Sequence, residues 1–233
     1  TMLANATGAP AMSVPLPMCN LLNGGQHATD SADFQEYMVV PVAARSYREA
    51  MQMTSEIFMA LKEVLEKCGL RTTVGDEGGF APRVASNTEM LDLLVQACEK
   101  AGYTPGTDVV FGLDVAASEF YNDAGYTLTT EGRVLGSLDM IDYLKEMTEH
   151  YPIRSIEDGL DEDDWDGWEK LTEELADTQL VGDDLLVTNQ ERLERAIAAQ
   201  AGNAILIKPN QIGTLTETVR TIAVAQSAGW HTI

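Results

Sequence analysis

Charged residues recur where short apolar runs end, and this regularity constrains the fold more than any other feature of the sequence. Three runs end in a carboxylate and a fourth in a lysine; the terminal residues are Asp114, Glu157, Asp183 and Lys208. The last three follow at intervals of about 25 residues, enough for one strand and one helix. In a parallel barrel such strand ends converge on one mouth, where active sites lie. The spacing therefore predicts charged groups gathered at one end of a sheet.

Helix signals separate the apolar runs. A hydroxyl or similar residue followed three positions later by Glu is a capping box, and such boxes begin at Ser46, Ser86, Thr188 and Thr214. Further helices are expected near Ser137 and Asp164, and residues 121–133 read as a polar hairpin insertion. This alternation predicts an α/β fold with a parallel sheet inside and helices outside. A closed barrel is favoured over an open doubly wound sheet, and no dinucleotide glycine fingerprint follows any strand.

The first part of the chain is less regular. Strands are expected over residues 16–22 and 34–42, and residues 72–80 read as a short strand that enters a glycine-rich loop. Residues 230–233 look like the opening of another strand. We assign no secondary structure to residues 1–15, an uncertain lead-in, and predict one partial barrel domain over residues 16–233.

Composition excludes several classes of function. The chain has 233 residues, of which 45% are hydrophobic, so general disorder is excluded. Its formal charge of −22, from 37 acidic and 15 basic residues, repels phosphate backbones and disfavours nucleic acid as a partner. No apolar run approaches a membrane span. The three cysteines stand far apart and are expected to be reduced core thiols.

The strand-end residues suggest metal-assisted acid–base chemistry. Asp114, Glu157 and Asp183 would repel one another at close quarters unless a cation lay between them, and oxygen ligands favour Mg²⁺ over zinc. The alternative is three separate helix caps. Lys208 could act as a base if it is shielded from water near a metal, or it could be an ordinary solvated lysine. Glu77, held between glycines, suits close approach to a ligand.

Seven stretches, in order and spacing, closely resemble the enolases, the family of glycolytic phosphopyruvate hydratases. They are residues 22–28 (LNGGQHA), 34–38 (FQEYM), 74–79 (VGDEGG), 113–120 (LDVAASEF), 155–158 (SIED), 182–189 (GDDLLVTN) and 208–215 (KPNQIGTL). The resemblance covers residues 16–230. It implies an enolase-type barrel that binds a small phosphorylated substrate.

The resemblance also implies a role for each candidate residue. Mg²⁺ would be bound by Asp114, Glu157 and Asp183, and Lys208 would remove the proton beside the substrate carboxylate. The acid that helps hydroxide leave would be Glu77, with Glu36 beside it. The substrate contacts implied are His27, Glu36, Glu157, Asp183 and Lys208.

Some family features have no counterpart in the sequence. Enolases carry an N-terminal domain with a mobile loop, a Ser-His-Arg-Ser stretch that holds phosphate and a second active-site lysine. Pro209 stands where the family often has Val. We therefore expect an incomplete barrel whose residues 1–233 are inactive alone and prone to aggregation. The whole enzyme would be a cytoplasmic homo-oligomer, with a further cell-surface pool implied by resemblance. The alternatives are another Mg²⁺-dependent member of the superfamily and a non-catalytic partner-binding protein.

Overall fold

The computed structural model describes residues 14–28 and 30–233, and within them ten strands form two sheets. The strands are β1 (Cys19–Asn23), β2 (Glu36–Val40), β3 (Val110–Asp114), β4 (Tyr121–Asn122), β5 (Gly125–Leu128), β6 (Arg133–Leu135), β7 (Ile153–Glu157), β8 (Gln179–Gly182), β9 (Ala204–Ile205) and β10 (His231–Thr232). The larger sheet has the spatial order β1-β2-β3-β7-β8-β9-β10. The expected lead-in over residues 1–15 lies almost entirely outside the described residues.

The larger sheet is parallel only from β3 onward. Strands β1 and β2 pair antiparallel, as do β2 and β3, whereas β3, β7, β8, β9 and β10 are parallel neighbours. Antiparallel strands can be joined by short connections, but parallel strands need a crossover, usually a helix. The predicted strand–helix alternation is therefore confirmed for the second half of the chain. Among the described residues the sheet is open, with β1 and β10 at its edges.

Seven α-helices flank the strands in the described part of the chain. They are α1 (Tyr47–Lys67), α2 (Asn87–Lys100), α3 (Ser137–His150), α4 (Trp165–Glu174), α5 (Gln190–Ala199), α6 (Pro209–Ile212) and α7 (Leu215–Ser227). The predicted caps Ser46, Ser86 and Thr214 each accept the backbone N–H three residues later. The prediction for Thr188 is wrong, because Asn189 caps α5 and Thr188 lies before the helix.

The glycine-rich segment over residues 72–80 is a loop, so the strand predicted there is wrong. Only an isolated bridge joins Val74 to Phe80. A side chain at Gly79 would stand 2.6 Å from the Asn23 side-chain oxygen, and one at Gly75 would stand 2.7 Å from the His27 carbonyl. The glycines are thus needed for close packing against the end of β1 rather than for strand pairing.

The hairpin prediction is confirmed, and it extends further than expected. Strands β4, β5 and β6 form a separate antiparallel sheet whose Tyr126 and Leu128 are fully buried. The core also includes Trp168 of α4, which is fully buried. Of the three free thiols only Cys98 is fully buried and Cys68 is exposed, so the expectation of three core thiols is wrong for Cys68. Within residues 14–28 and 30–233, no helix has the length and apolar character needed to cross a membrane.

Candidate active site

Neighbouring strands bring the predicted acids to one end of the sheet. In the strand register, Glu36 is opposite Asp114 and Asp114 is opposite Glu157, so the last residues of β3 and β7 and the first residue of the antiparallel β2 form one row. Asp183 directly follows β8, and Lys208 lies a few residues beyond β9. The convergence of these residues on a single mouth is as the spacing predicted.

The carboxylates fall into two overlapping groups within this mouth. Oxygens of Asp114, Glu157 and Asp158 lie within 4.8 Å of one another, and so do oxygens of Asp158, Asp183 and Asp184. Asp158 is shared by both groups. Its central position between the proposed metal ligands was not anticipated from the sequence.

Burial opposes ionisation of these acids. Burial is the largest cause that raises the pKa of Asp114, to about 7, and the nearby Glu36 carboxylate adds to the effect. Burial likewise raises the pKa of Glu157 well above its ordinary value, reinforced by Asp114 and Asp158. Two hydrogen bonds partly offset the cost of burying the charge of Asp114. The Gln35 side-chain amide and the Ala116 backbone N–H donate to its oxygens at 3.0 and 3.1 Å. If all of these carboxylates were ionised, the hydrogen bonds from the protein would only partly compensate their negative charge.

Asp158 orients the segment that follows β8. Its two carboxylate oxygens accept the backbone N–H groups of Asp183 and Asp184, at 3.1 and 2.8 Å. The Asp158 backbone has a φ of +43°, a conformation uncommon outside glycine. Such strain at a functional site costs on the order of 1–3 kcal/mol and persists where the surroundings enforce it. Asp158 is thus suited to hold Asp183 in place.

Lys208 is the cation closest to these acids. Its ammonium forms an ion pair and hydrogen bond with Oδ2 of Asp183, whose Oδ1 accepts from the Gln211 amide at 2.7 Å. Burial lowers the pKa of Lys208, but the hydrogen bond with Asp183 and the nearby acids outweigh burial, so the pKa lies above its ordinary value. This differs from the expectation of an amine with a shielded, depressed pKa, because 43% of the side chain is exposed and the surrounding charge is negative.

A second group of candidate residues adjoins the first through Glu36, the strand partner of Asp114. His27, Glu36 and Glu77 offer atoms within 4.8 Å of one another, and His27 Nδ1 lies 3.4 Å from Glu36 Oε1. Burial raises the pKa of Glu36; His27 opposes the rise and Glu77 adds to it. Glu77 itself is exposed on the glycine-rich loop. The loop thus brings a solvent-accessible acid to a half-buried acid and an imidazole.

Asn87 is a buried positioning residue that sequence reasoning missed. Its side-chain oxygen accepts the N–H groups of Asp33 and Phe34 and the Tyr37 hydroxyl, at 3.0 to 3.1 Å. Its amide nitrogen donates towards Glu131 in the loop between β5 and β6, at 3.3 Å. Asn87 therefore joins the start of α2 to the segment that carries Gln35 and Glu36. The only sequence signal was its place directly after the Ser86 cap.

The donor set fits a hard divalent cation. Only oxygen ligands are present in the two carboxylate groups, and oxygen ligands suit Mg²⁺ rather than zinc. Burial is the largest cause of the raised pKa values of Asp114 and Glu157, and the neighbouring acids add to it, so the ionised forms would require positive charge nearby. A divalent cation would supply that charge, whereas Lys208 alone pairs chiefly with Asp183.

One comparison with known proteins bears on this site. A family model described as "Enolase, C-terminal TIM barrel domain" matches residues 11–233, nearly the whole chain. The match covers every candidate residue described above.

Proposed function

Because this chain belongs to the family of enolase C-terminal barrel domains, we propose that it supplies the barrel of an enzyme that catalyses the reversible dehydration of 2-phosphoglycerate to phosphoenolpyruvate and water. The reaction is that of a Mg²⁺-dependent carbon–oxygen lyase. The observation that carries the proposal is the gathering of two groups of side chains at one end of the sheet. Buried carboxylates lie with Lys208, and the group of His27, Glu36 and Glu77 adjoins them through Glu36, which is the strand partner of Asp114.

The residues proposed to hold Mg²⁺ are Asp114, Glu157 and Asp183. Asp158, shared by both carboxylate groups, supports them by fixing the backbone of Asp183. When bound, the cation would stabilise the negative charge that builds on the substrate carboxylate as the adjacent proton is lost. The protein residues then have to orient the substrate, move two protons and keep competing water away.

Lys208 is proposed to remove the proton beside the substrate carboxylate. An amine accepts that proton only when it is neutral, and the acids around Lys208 favour its charged form. Neutralising Asp183 and its neighbours with a cation removes the cause of the raised pKa. The ion pair with Asp183 meanwhile holds the amine at the mouth.

Glu77 is proposed to protonate the departing hydroxide. A general acid must be protonated before the step, and Glu77 lies on an exposed loop beside Glu36 and His27. His27 and Glu36 would contact the substrate and orient it between the acid and the base. By family resemblance we also propose a cytoplasmic homo-oligomer of at least two chains, which light scattering of the purified protein tests.

The test combines metal binding with turnover. Glu157→Gln removes one charged oxygen ligand with little change of shape, so we expect weaker Mg²⁺ binding by calorimetry and loss of phosphoenolpyruvate formation. Glu173→Gln is the matched control, because the same change is made on α4 at a side chain that is 73% exposed. The control should bind Mg²⁺ and turn over as the wild type does.

Two outcomes would count against the proposal. Equal Mg²⁺ affinity in Glu157→Gln and the wild type would contradict the carboxylate site. A full-length wild-type protein that binds Mg²⁺ but leaves 2-phosphoglycerate unchanged would contradict the proposed substrate, and would favour another acid substrate of the superfamily. Binding of partner proteins without any turnover would favour the non-catalytic alternative.

A further inference from the structure

Two consecutive residues after β8 have an uncommon backbone conformation. Val187 and Thr188 have φ values of +43° and +55°, although both are branched at Cβ. Branched side chains are genuine outliers in this region, because they crowd the neighbouring backbone. Thr188 is fully buried, and its carbonyl accepts the Thr221 hydroxyl of α7 at 3.0 Å. Strain that is held in this way points to a function for the residue that bears it.

The Thr188 hydroxyl belongs to a ring of hydrogen bonds that includes Lys208. It accepts the backbone N–H of Lys208 at 2.9 Å and lies 3.0 Å from Oε1 of Gln211. The Gln211 amide nitrogen donates to Oδ1 of Asp183 at 2.7 Å, and Oδ2 of Asp183 pairs with the Lys208 ammonium. The ring therefore restrains both the backbone and the side chain of Lys208.

The hydroxyl also decides the orientation of the Gln211 amide. A hydroxyl has one proton to donate, and its nearer acceptor is Gln211 at 3.0 Å rather than the Leu206 carbonyl at 3.3 Å. When Oε1 of Gln211 accepts this proton, the NH₂ group is directed at Asp183, which offers only acceptors when ionised. The opposite orientation would place the amide oxygen against a carboxylate.

We infer that Thr188 is a positioning residue, whose hydroxyl sets the placement of Lys208 and the orientation of Asp183. It acts through Lys208 and Gln211 and touches no reacting atom. The inference rests on the proposed function of this mouth and deepens it. It also explains why a buried threonine stands in a strained conformation where a helix cap was expected.

The test separates the hydroxyl from the shape of the side chain. Thr188→Val keeps the shape and removes the hydroxyl, whereas Thr188→Ser keeps the hydroxyl. We expect kcat to fall roughly 10- to 100-fold in Thr188→Val with KM changed less than about threefold, and Thr188→Ser to stay within about threefold of the wild type. Thr218→Val is the matched control, because this buried hydroxyl bonds only the Thr214 carbonyl of its own helix segment, and its kcat should not change.

A second measurement needs neither substrate nor metal. Hydrogen exchange followed by NMR reports the Lys208 N–H, whose acceptor is the Thr188 hydroxyl. We expect this amide to exchange at least about tenfold faster in Thr188→Val and at the wild-type rate in Thr188→Ser, with the α7 amides unchanged in both. If Thr188 had only a structural role, Thr188→Val would accelerate amide exchange throughout the surrounding residues, including those of α7.

The inference is overturned if Thr188→Val retains its kcat, if Thr188→Ser is equally impaired, or if Lys208 exchange is unchanged. Should Thr188→Val fail to fold, Gln211→Met removes the amide from the half-buried ring and leaves Thr188 in place. It must lower kcat, and an unchanged kcat overturns the positioning role. A wild-type protein without turnover contradicts the proposed function instead, and Lys208 exchange then decides the inference alone.

Discussion

At the scale of single residues, the proposed acid and the proposed base belong to two different groups of side chains at one end of the sheet. Lys208 lies with Asp183, whereas Glu77 lies on the glycine-rich loop with His27 and Glu36. A base acts before hydroxide leaves, because the proton beside the carboxylate is lost first, and an acid acts when hydroxide leaves. The two roles therefore affect different steps.

The first prediction separates these steps. Lys208→Ala should abolish exchange of the substrate's α-proton with deuterated water, because Lys208 is the amine proposed to remove that proton. Glu77→Gln should slow dehydration by roughly 10²–10⁴-fold while leaving that exchange largely intact. Mass spectrometry of recovered 2-phosphoglycerate measures exchange, and Lys145→Ala on α3, 40% exposed, is a control for loss of a lysine. Equal loss of exchange in the Lys208 and Glu77 variants would mean that the roles are misassigned.

At the scale of elements, helix starts are connected to the strands that carry the site. The first turn of α2 contains Ser86, which caps the helix, and Asn87, which bonds the segment leading into β2. The same asparagine reaches Glu131 beyond β5. The start of this one helix therefore aligns β2 and the hairpin with the mouth. Its cap also provides an acceptor for an N–H group that has no partner within the helix.

The second prediction compares these two neighbours. Asn87→Ala leaves the N–H groups of Asp33 and Phe34 without their acceptor and should lower the free energy of unfolding by about 2–4 kcal/mol. Ser86→Ala removes only a cap and should cost about 1 kcal/mol. Urea unfolding of both variants measures the difference. A cost for Asn87→Ala no greater than that for Ser86→Ala would contradict the role of Asn87 in joining the elements.

At the scale of the whole molecule, negative charge opposes the folded state. The chain carries a formal charge of −22, and buried acids with raised pKa values lie at the mouth. A carboxyl with a raised pKa binds its proton more tightly when folded than when unfolded. The contribution of this carboxyl group to the stability of the folded protein is therefore largest below the pKa that it has in the unfolded chain. The contribution is lost as the pH rises through the pKa that it has in the folded protein.

The third prediction follows from this dependence of stability on pH. Without divalent cations, the stability should fall as pH rises from about 4 to about 7, the interval between the ordinary and the raised pKa of Asp114. Thermal unfolding across this pH range measures the loss.

Magnesium should reverse this loss if the carboxylates bind it. Millimolar MgCl₂ should raise the melting temperature more at pH 8 than at pH 5, because ionised carboxylates bind the cation and protonated ones do not. NaCl at matched ionic strength is the control, since it screens the overall charge without occupying the site. An equal effect of the two salts at pH 8 would contradict a specific cation site.

Local features of the sequence determined the elements and the identity of the strand-end residues. The caps Ser46, Ser86 and Thr214 and the hairpin after Tyr121 were predictable, because each depends on residues a few positions apart. Asp114, Glu157 and Asp183 could be picked out because apolar runs end at them and the strand–helix repeat brings such ends together.

Only the tertiary structure decided which residues hold those groups in place. Asn189 rather than Thr188 caps α5, which leaves the Thr188 hydroxyl free to bond Lys208, twenty positions along the chain. Asn87 and Asp158 likewise act through partners on other elements. The antiparallel start of the sheet is equally invisible in the sequence. Periodicity reports which face of an element is buried, but contacts between distant segments depend on how the elements pack, and no local pattern encodes them.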